Sequence, residues 1–274
     1  MMKLKNTIKN SLFVKSLKLA KSDLNKTGLM ILFDVMFLVS VFALSRLGVF
    51  FAQTLVIPQT VMSIIIFIIF SLVYYLLALF AYSFFKYSIL DFIKSLFGKS
   101  SFSFNRIGKF YLLNIIIAAI FLAVMIVFNY ILVSIRQSYA PFVFVALAIP
   151  YLLLLYVIIN VSHSLFYEGA SVKSSIKRSF EITFTRTKSY RETIIAIILF
   201  SLIFGLLFLG SGYLIRFFAS KNYTLYLSTY AYFKQASVII LDLALYFIIL
   251  INRISFYKLT RNFHQSSTGG NFHQ

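Results

Sequence analysis

The sequence contains no cysteine and no tryptophan, and only 7 of its 274 residues are acidic. Without cysteine, the chain cannot form disulfides, thiolate zinc sites, iron–sulfur clusters or a cysteine nucleophile. Charged residues make up 12% of the chain and hydrophobic residues 61%, whereas soluble domains are about a quarter charged and about half apolar. The composition therefore predicts a protein whose solvent is largely lipid.

The few acids are outnumbered by 26 Lys and Arg, which gives a formal net charge of +19. In a soluble protein this excess would suggest a nucleic-acid partner, but here the basic residues cluster between apolar runs. We therefore expect no nucleic-acid partner. The predicted partners are membrane lipids, in particular anionic head groups at the cytoplasmic face. An unidentified protein partner is a further alternative.

Six apolar runs approach the length of about 20 residues that a helix needs to cross a bilayer. Backbone polar groups in lipid must be paired within the segment, and the runs do not alternate polar and apolar residues, so we expect helices and not a barrel. The predicted fold class is all-α: a polytopic membrane helix bundle of six spans with basic amphipathic cytoplasmic helices. The predicted spans are about 28–50, 61–85, 110–135, 143–167, 194–215 and 236–252.

The basic residues are distributed unevenly among the segments that connect these spans. Those at the predicted outer side are Arg46, Arg136, Arg216, Lys221 and Lys234, and all the others lie in residues 1–27, 86–109, 168–193 and after the sixth span, from Arg253 onward. By the positive-inside rule, this bias predicts a multi-pass protein with its N-terminus and C-terminus in the cytoplasm.

The chain divides into three predicted parts. In residues 1–27, apolar residues recur at helical spacing among lysines, which predicts a basic amphipathic helix lying in the interface. About 26 lysine-rich residues precede the first apolar run, so we expect that run to be a retained span and not a cleaved signal. Residues 28–257 form the six-span domain, and residues 258–274 are polar and expected to be disordered.

The connecting segments carry further periodic patterns. Residues 89–97 have apolar positions at helical spacing and predict a second amphipathic helix. In a third segment, Val172, Ile176 and Phe180 recur every four residues, opposite a basic face. With tryptophan absent, tyrosine must supply the interfacial belt, and Tyr223, Tyr226, Tyr230 and Phe233 are spaced to form one face of a short outer helix.

Two acids, Asp34 and Asp242, fall inside predicted spans. A charge at membrane depth is costly, so each is a candidate functional residue; the alternative is that each is hydrogen-bonded to a neighbour and holds the helices together. Asp34 is expected near the cytoplasmic side and Asp242 near the outer side. They are therefore not expected to form one paired-carboxylate site.

Other polar residues in the spans are Asn129, which is expected near the outer side with Asp242, and Asn114, Asn160, His163 and Asn252, which are expected near the cytoplasmic side with Asp34. Such a cluster either lines a polar vestibule or makes ordinary interhelical hydrogen bonds. His163 has no His or Glu at ligand spacing, so we predict no metal site. No catalytic residue and no cofactor are predicted either.

A stretch after the fourth predicted span resembles a known family. It reads Tyr167-Glu168-Gly169-Ala170-Ser171 and then Ser175-Ile176-Lys177-Arg178-Ser179-Phe180. This resembles the six-helix membrane domain attached to some bacterial glycerophosphodiester phosphodiesterases and related uncharacterised prokaryotic membrane protein families. In those proteins an acid and a glycine leave span four, and a helix with a basic residue before serine follows.

The resemblance implies a protein of a prokaryotic cell membrane in which the segment from Glu168 to Phe180 has a specific role. It transfers no catalytic residue, because the phosphodiesterase activity of those proteins belongs to a separate barrel domain of about 250 residues. The candidate interaction residues of the cytoplasmic segment are Glu168, Gly169, Lys173, Lys177, Arg178 and Ser179.

Two functions stay open on these grounds. The leading hypothesis is a non-enzymatic scaffold, or a protein that interacts with lipids or a partner, through its basic amphipathic segments. The alternative is a small transporter or channel that uses Asp34 or Asp242. The first predicts a dry bundle, and the second predicts a water-accessible cavity at one of these acids.

Overall fold

The structure is built from helices that follow the apolar runs of the sequence. It is a computed structural model that describes residues 11–54, 60–100, 102–219 and 222–269. Across these ranges there is no β-strand, so the predicted all-α class is confirmed. The helices are α1 Leu12–Ser22, α2 Leu24–Thr54, α3 Val61–Ser95, α4 Phe104–Val133, α5 Ala140–Tyr167, α6 Val172–Thr185, α7 Thr187–Ala219 and α8 Tyr223–Gly269.

Six of these helices are long and apolar enough to cross a membrane. They are Leu24–Val49 within α2, the whole of α3, α4, α5 and α7, and Thr224–Phe263 within α8. The chain is therefore a multi-pass membrane protein, and the prediction of six spans is confirmed. Large hydrophobic side chains are exposed along these helices, for example Leu38, Ile68 and Leu206, as expected of surfaces that contact lipid.

Several predicted boundaries are corrected. The amphipathic segment at residues 89–97 is not a separate helix, because α3 continues without a break to Ser95. The tyrosine-rich segment is the beginning of α8, and the same helix continues to Gly269, so residues 258–269 are helical and not a disordered tail. Residues 270–274 lie outside the described residues. Hydropathy marks only the apolar part of a helix, which continues until a glycine, a proline or a cap stops it.

The basic N-terminal helix and the first span meet at Asp23. α1 ends at Ser22 and α2 begins at Leu24, which corrects the predicted boundary at residue 27; residues 1–10 lie outside the described ranges. The Asp23 Oδ1 accepts a hydrogen bond from the Lys26 backbone N–H at 3.1 Å, and Oδ2 lies 3.0 Å from Lys26 Nζ. The donated amide hydrogen bond, with the ammonium group beside it, holds the pKa of Asp23 below its ordinary value.

The described residues divide into two compact units. The α2–α6 unit comprises Lys21–Thr185 together with the chain from Thr260 onward, and the α7–α8 unit comprises the chain up to Ala20 and Arg186–Leu259. Each has its own packing.

In the α2–α6 unit, each helix from α2 to α5 packs on the next, and α6 packs on α5 and α4. Aromatic edges join α2 to α3: the ring centroid of Phe33 lies 5.3 Å from that of Phe92. At the core, the Phe110 ring lies 5.5 Å from both Tyr87 and Phe166, and all three side chains are buried. This aromatic core encloses the polar groups described below.

In the α7–α8 unit, the rings of Phe208 and Phe233 stack at 5.2 Å. A buried polar contact joins the same two helices, because Asn252 Nδ2 donates to the Thr193 carbonyl at 2.9 Å. α1 belongs to this unit through its first turn: the Leu12 backbone N–H donates to Glu192 Oε2 at 2.6 Å. A carboxylate at a helix N-terminus stabilises it, since it accepts one of the otherwise unpaired N–H groups.

Candidate functional site

A chain of buried hydrogen bonds crosses three helices of the α2–α6 unit. Asn114 Nδ2, on α4, donates to Ser83 Oγ on α3 at 2.9 Å, and Asn114 Oδ1 lies 2.7 Å from Nε2 of His163 on α5. All three side chains are buried. The structure thus brings together Asn114 and His163, which the sequence placed at similar depth. We call Ser83, Asn114 and His163 the polar triplet.

The orientation of the Asn114 amide defines the proton on His163. Because the amide nitrogen donates to Ser83, its oxygen faces the imidazole, and His163 Nε2 must carry a proton and donate it. The imidazole is held between aromatic rings, with its centroid 4.7 Å from that of Phe110 and 6.2 Å from that of Tyr82. His163 therefore carries a proton on Nε2, and the two rings hold the imidazole in place.

Asn160 was expected to belong to the same cluster, but its hydrogen bond is local. Its Nδ2 donates to the Tyr156 carbonyl one turn earlier on α5, at 2.8 Å. A side-chain hydrogen bond within one helix does not connect that helix to a neighbour. The expected grouping is therefore correct for Asn114 and His163, while Asn160 bonds within α5.

The two intramembrane acids lie in different surroundings. Asp34 lies on α2 in the α2–α6 unit and is only 8% exposed. Asp242 lies on α8 in the α7–α8 unit and is exposed, beside the exposed side chains of Leu243 and Ile239. Both positions fall within the membrane-spanning stretches, as expected.

A second polar group, which the sequence reasoning missed, lies where α5 ends. The Tyr167 hydroxyl donates to Asp91 Oδ1, and Ser100 Oγ donates to Asp91 Oδ2 at 3.3 Å. The Lys94 ammonium lies 5.5 Å from the centroid of the Tyr167 ring. Asp91 is one of only 7 acids in the chain, and this scarcity is the signal that could have marked it.

Arg106 completes this group and caps α5. Its guanidinium donates to the backbone carbonyl of Phe166 and, at 3.5 Å, to that of Tyr167, and it lies 4.9 Å from the centroid of the Phe166 ring. The last carbonyls of a helix have no i+4 N–H partner within the helix and carry partial negative charge, so a cation beside them is favourable. We call Asp91, Ser100, Arg106 and Tyr167 the α5 latch.

The turn that follows α5 gives a structural reason for the glycine of the Glu168–Gly169 pair. The Ala170 N–H donates to the Leu165 carbonyl and the Gly169 N–H to the Phe166 carbonyl, both at 3.1 Å, which is the pattern of a Schellman helix end. Gly169 has a φ of +120°, a conformation that side chains disfavour. Gly169, offered as an interaction residue, therefore has a role in the turn.

The remaining residues of the predicted interaction segment divide by exposure. Ser179 is buried, and its hydroxyl donates to the Ile176 carbonyl at 2.7 Å. Glu168, the C-cap residue of α5, is partly buried, while Lys173, Lys177 and Arg178 are exposed. The three basic residues are thus the charged groups of this segment that are exposed.

α1 repeats this arrangement of a buried and a basic face. Ser16 and Ala20 are buried, whereas Lys15, Lys18 and Lys21 are exposed. The three lysines are spaced three residues apart and lie along one side of the helix. α1 and α6 are therefore both amphipathic helices that pack against the protein on one face and expose basic residues on another.

The structure thus provides buried hydrogen bonds between helices and exposed basic side chains on α1 and α6. Among the described residues, no three His, Asp or Glu side chains group as a metal site would need. Comparisons with protein-family models, with curated protein sequences and with solved structures found no match.

Proposed function

We propose that the chain is a non-enzymatic multi-pass protein of a prokaryotic cell membrane that binds anionic lipid head groups at its cytoplasmic face. The observation that carries the proposal is the pair of basic helix faces, Lys15, Lys18 and Lys21 on α1 and Lys173, Lys177 and Arg178 on α6, all exposed. Each basic residue near an anionic membrane surface contributes about 1 kcal/mol of attraction.

The proposed orientation supports this assignment. With both termini in the cytoplasm, the two basic faces meet the leaflet in which anionic lipids give a negative surface potential. Because the chain has no cysteine, single cysteines report the orientation. We expect Arg136→Cys to react with a membrane-impermeant thiol reagent in intact cells, and Lys18→Cys to react only after permeabilisation; the reverse pattern would contradict the proposed orientation.

Lipid selectivity provides the main test. The purified protein is reconstituted in nanodiscs of phosphatidylglycerol and phosphatidylcholine, and the lipids that stay bound after mild detergent extraction are identified by native mass spectrometry. We expect enrichment of phosphatidylglycerol, which falls when Lys15, Lys18 and Lys21, or the three basic residues of α6, are replaced by glutamine.

The matched control neutralises the same number of exposed basic residues elsewhere. Arg136, Arg216 and Lys234 are exposed and lie in the segments predicted to be outside. Their replacement by glutamine should leave the enrichment unchanged. Equal losses in all three variants would mean that net charge alone matters, and the proposal would then be wrong.

Transport through Asp34 or Asp242 is the second candidate function, and it is supported by the cost of an acid at membrane depth. The buried Asp34 and the exposed Asp242 are tested separately, each replaced by cysteine and treated with a charged thiol reagent in liposomes. Rapid labelling of either would favour a water-filled path and transport. Protection of both would favour the lipid-binding proposal. The relationship to the membrane domain of glycerophosphodiester phosphodiesterases stays a prediction. The assignment to a prokaryotic membrane rests on it, whereas the proposed lipid binding and transport do not.

A further inference from the structure

An apolar groove lies between α4, α5 and α6. Its volume is about 370 Å³, within the range of about 300–1,000 Å³ that is usual for small-molecule sites. Ile120 and Phe128 of α4 and Tyr151 and Leu154 of α5 form two of its walls. Ile120 is 36% and Leu154 37% exposed, so the groove is open to the surroundings of the helices. We call it the α4–α6 groove.

The groove is lined almost entirely by apolar side chains, which favour a hydrocarbon ligand over a polar one. Tyr151 is the lining residue with a polar side-chain atom, and its hydroxyl is directed to the Phe121 carbonyl at 3.5 Å. The Phe128 ring stands edge-on to the Tyr151 ring, with 5.2 Å between centroids. A ligand in this groove is therefore recognised there by apolar contact and not by hydrogen bonds.

The third wall comes from α6, which carries both apolar and basic groups on neighbouring stripes. Ile176, Phe180 and Phe184 line the groove. Residues three, four and seven apart lie on the same side of a helix, so Lys173 lies one turn before Ile176, and Lys177 one turn before Phe180. The sequence pattern had placed both lysines opposite the apolar face, but since that face extends to Phe184, they lie beside it.

The lysines lie in the N-terminal half of α6, and its two phenylalanine rings that line the groove lie in the C-terminal half. Lys173 and Lys177 are exposed, and Phe184, 62% exposed, lies in the last turn of α6. The adjacent side of α6 is buried through Ser175, Ser179 and Thr183, which fixes the rotation of the helix. A ligand that meets this wall encounters ammonium groups first and then about two turns of hydrocarbon.

We propose that the α4–α6 groove binds one acyl chain of an anionic phospholipid from the surrounding bilayer, whose phosphate is bound by Lys173 and Lys177. Charge complementarity identifies the ligand, since two ammonium groups flank a groove that is otherwise apolar, and long lysine stems reach a head group while lying along apolar surface. This inference rests on the proposed binding of anionic lipid and assigns it a specific site.

Because the chain has no tryptophan, the fluorescence of one introduced tryptophan comes only from its position at the groove. The full-length Phe184→Trp protein is reconstituted in phosphatidylcholine that contains a small fraction of phosphatidylglycerol with brominated acyl chains, which quench nearby tryptophan. We expect brominated phosphatidylglycerol to quench at a concentration on the order of tenfold lower than brominated phosphatidylcholine, as two lysines near one phosphate would give.

Three variants of this reporter make the test specific. Replacing both Lys173 and Lys177 by glutamine should abolish the preference for phosphatidylglycerol, and replacing both by arginine should retain it. Ile120→Phe, which narrows the groove, should reduce quenching by either lipid. Phe144→Trp is the control reporter, because Phe144 is exposed on α5 and does not line the groove; there the two lipids should quench equally.

Equal quenching of the Phe184→Trp reporter by the two lipids, or no quenching by either, would overturn the site. The mass-spectrometric measurement separates the two levels of failure. If phosphatidylglycerol is enriched in the extracted protein while the reporter shows no preference, the proposed function stands and this site is wrong. If neither experiment shows a preference, the proposed function itself is wrong.

Discussion

His163 Nε2 lies 2.7 Å from Asn114 Oδ1, and this contact joins α5 to α4 inside a buried aromatic core. The same asparagine reaches Ser83 on α3, so one amide side chain connects three helices. Buried polar contacts of this kind specify how helices pack in a membrane, where apolar surfaces alone discriminate little. The polar triplet thus connects α3, α4 and α5 in one register.

We expect Asn114→Leu to lower the free energy of unfolding by about 1–2 kcal/mol, because it leaves the His163 N–H without its Asn114 acceptor. Replacing both partners, as in Asn114→Leu with His163→Phe, should cost less than the sum of the two single changes. Thermal unfolding in detergent measures each variant. The matched control is Asn160→Leu, which removes only a bond within α5, and an equal loss in that variant would argue against the interhelical role.

The α5 latch predicts a coupling between Tyr167 and Asp91. Tyr167→Phe removes one hydrogen bond to the carboxyl group, and we expect a loss of about 1–3 kcal/mol. Asp91→Asn should weaken the same contact, and the double variant should be little worse than either single one. Thermal midpoints of the four proteins give the coupling; strict additivity would show that the two residues act independently.

Arg106→Lys should destabilise the end of α5 by about 1–2 kcal/mol although charge is retained. The planar guanidinium reaches two carbonyls and the Phe166 ring together, which a lysine ammonium cannot do. Hydrogen exchange of residues 164–170 reports the local effect. Lys109→Gln serves as the control, because Lys109 is exposed and lies on α4 one turn after Arg106. This change should leave exchange in residues 164–170 unchanged.

The junction of α1 and α2 should depend on pH through Asp23. Its pKa in the folded protein lies below the ordinary value of 3.8, so the carboxylate contributes stability above that value and loses it as the pH falls through the lower, folded pKa. Amide exchange at residues 24–28, corrected for the intrinsic effect of pH, should therefore accelerate only below about pH 4. Asp23→Asn should remove this pH step, since asparagine caps a helix about as well.

Two glycines in spanning helices should respond differently to alanine. A Cβ at Gly48 would lie 3.0 Å from a ring carbon of Tyr74, whereas one at Gly205 would meet nothing within 4 Å. We expect Gly205→Ala to stabilise by up to about 1 kcal/mol, because alanine favours helix. Gly48→Ala should give no such gain, as the Tyr74 ring must move. Thermal midpoints compare them; a similar gain at both positions would show that α2 and α3 are not in close contact here.

The apolar runs of the chain were sufficient to predict the class of protein and the number of spans. Long apolar runs have few stable solutions in lipid, because every backbone polar group must be paired within the chain, and six helices of sufficient length follow directly. The sequence also indicated that Asn114 and His163 lie at similar depth, since depth depends only on position along a helix. Helix ends such as Gly269 were missed, because hydropathy reports apolarity and not helix length.

Which polar groups contact one another depends on how the helices pack. Asp91 and Tyr167 are 76 residues apart and Asn114 and His163 are 49 apart, and no local pattern encodes which faces of two helices pack together. The same holds for α6: its spacing predicted an amphipathic helix, but its rotation against α4 and α5 decided that Ile176, Phe180 and Phe184 line an apolar groove. Rotation and register depend on side-chain packing across helices, which periodicity along one helix does not contain.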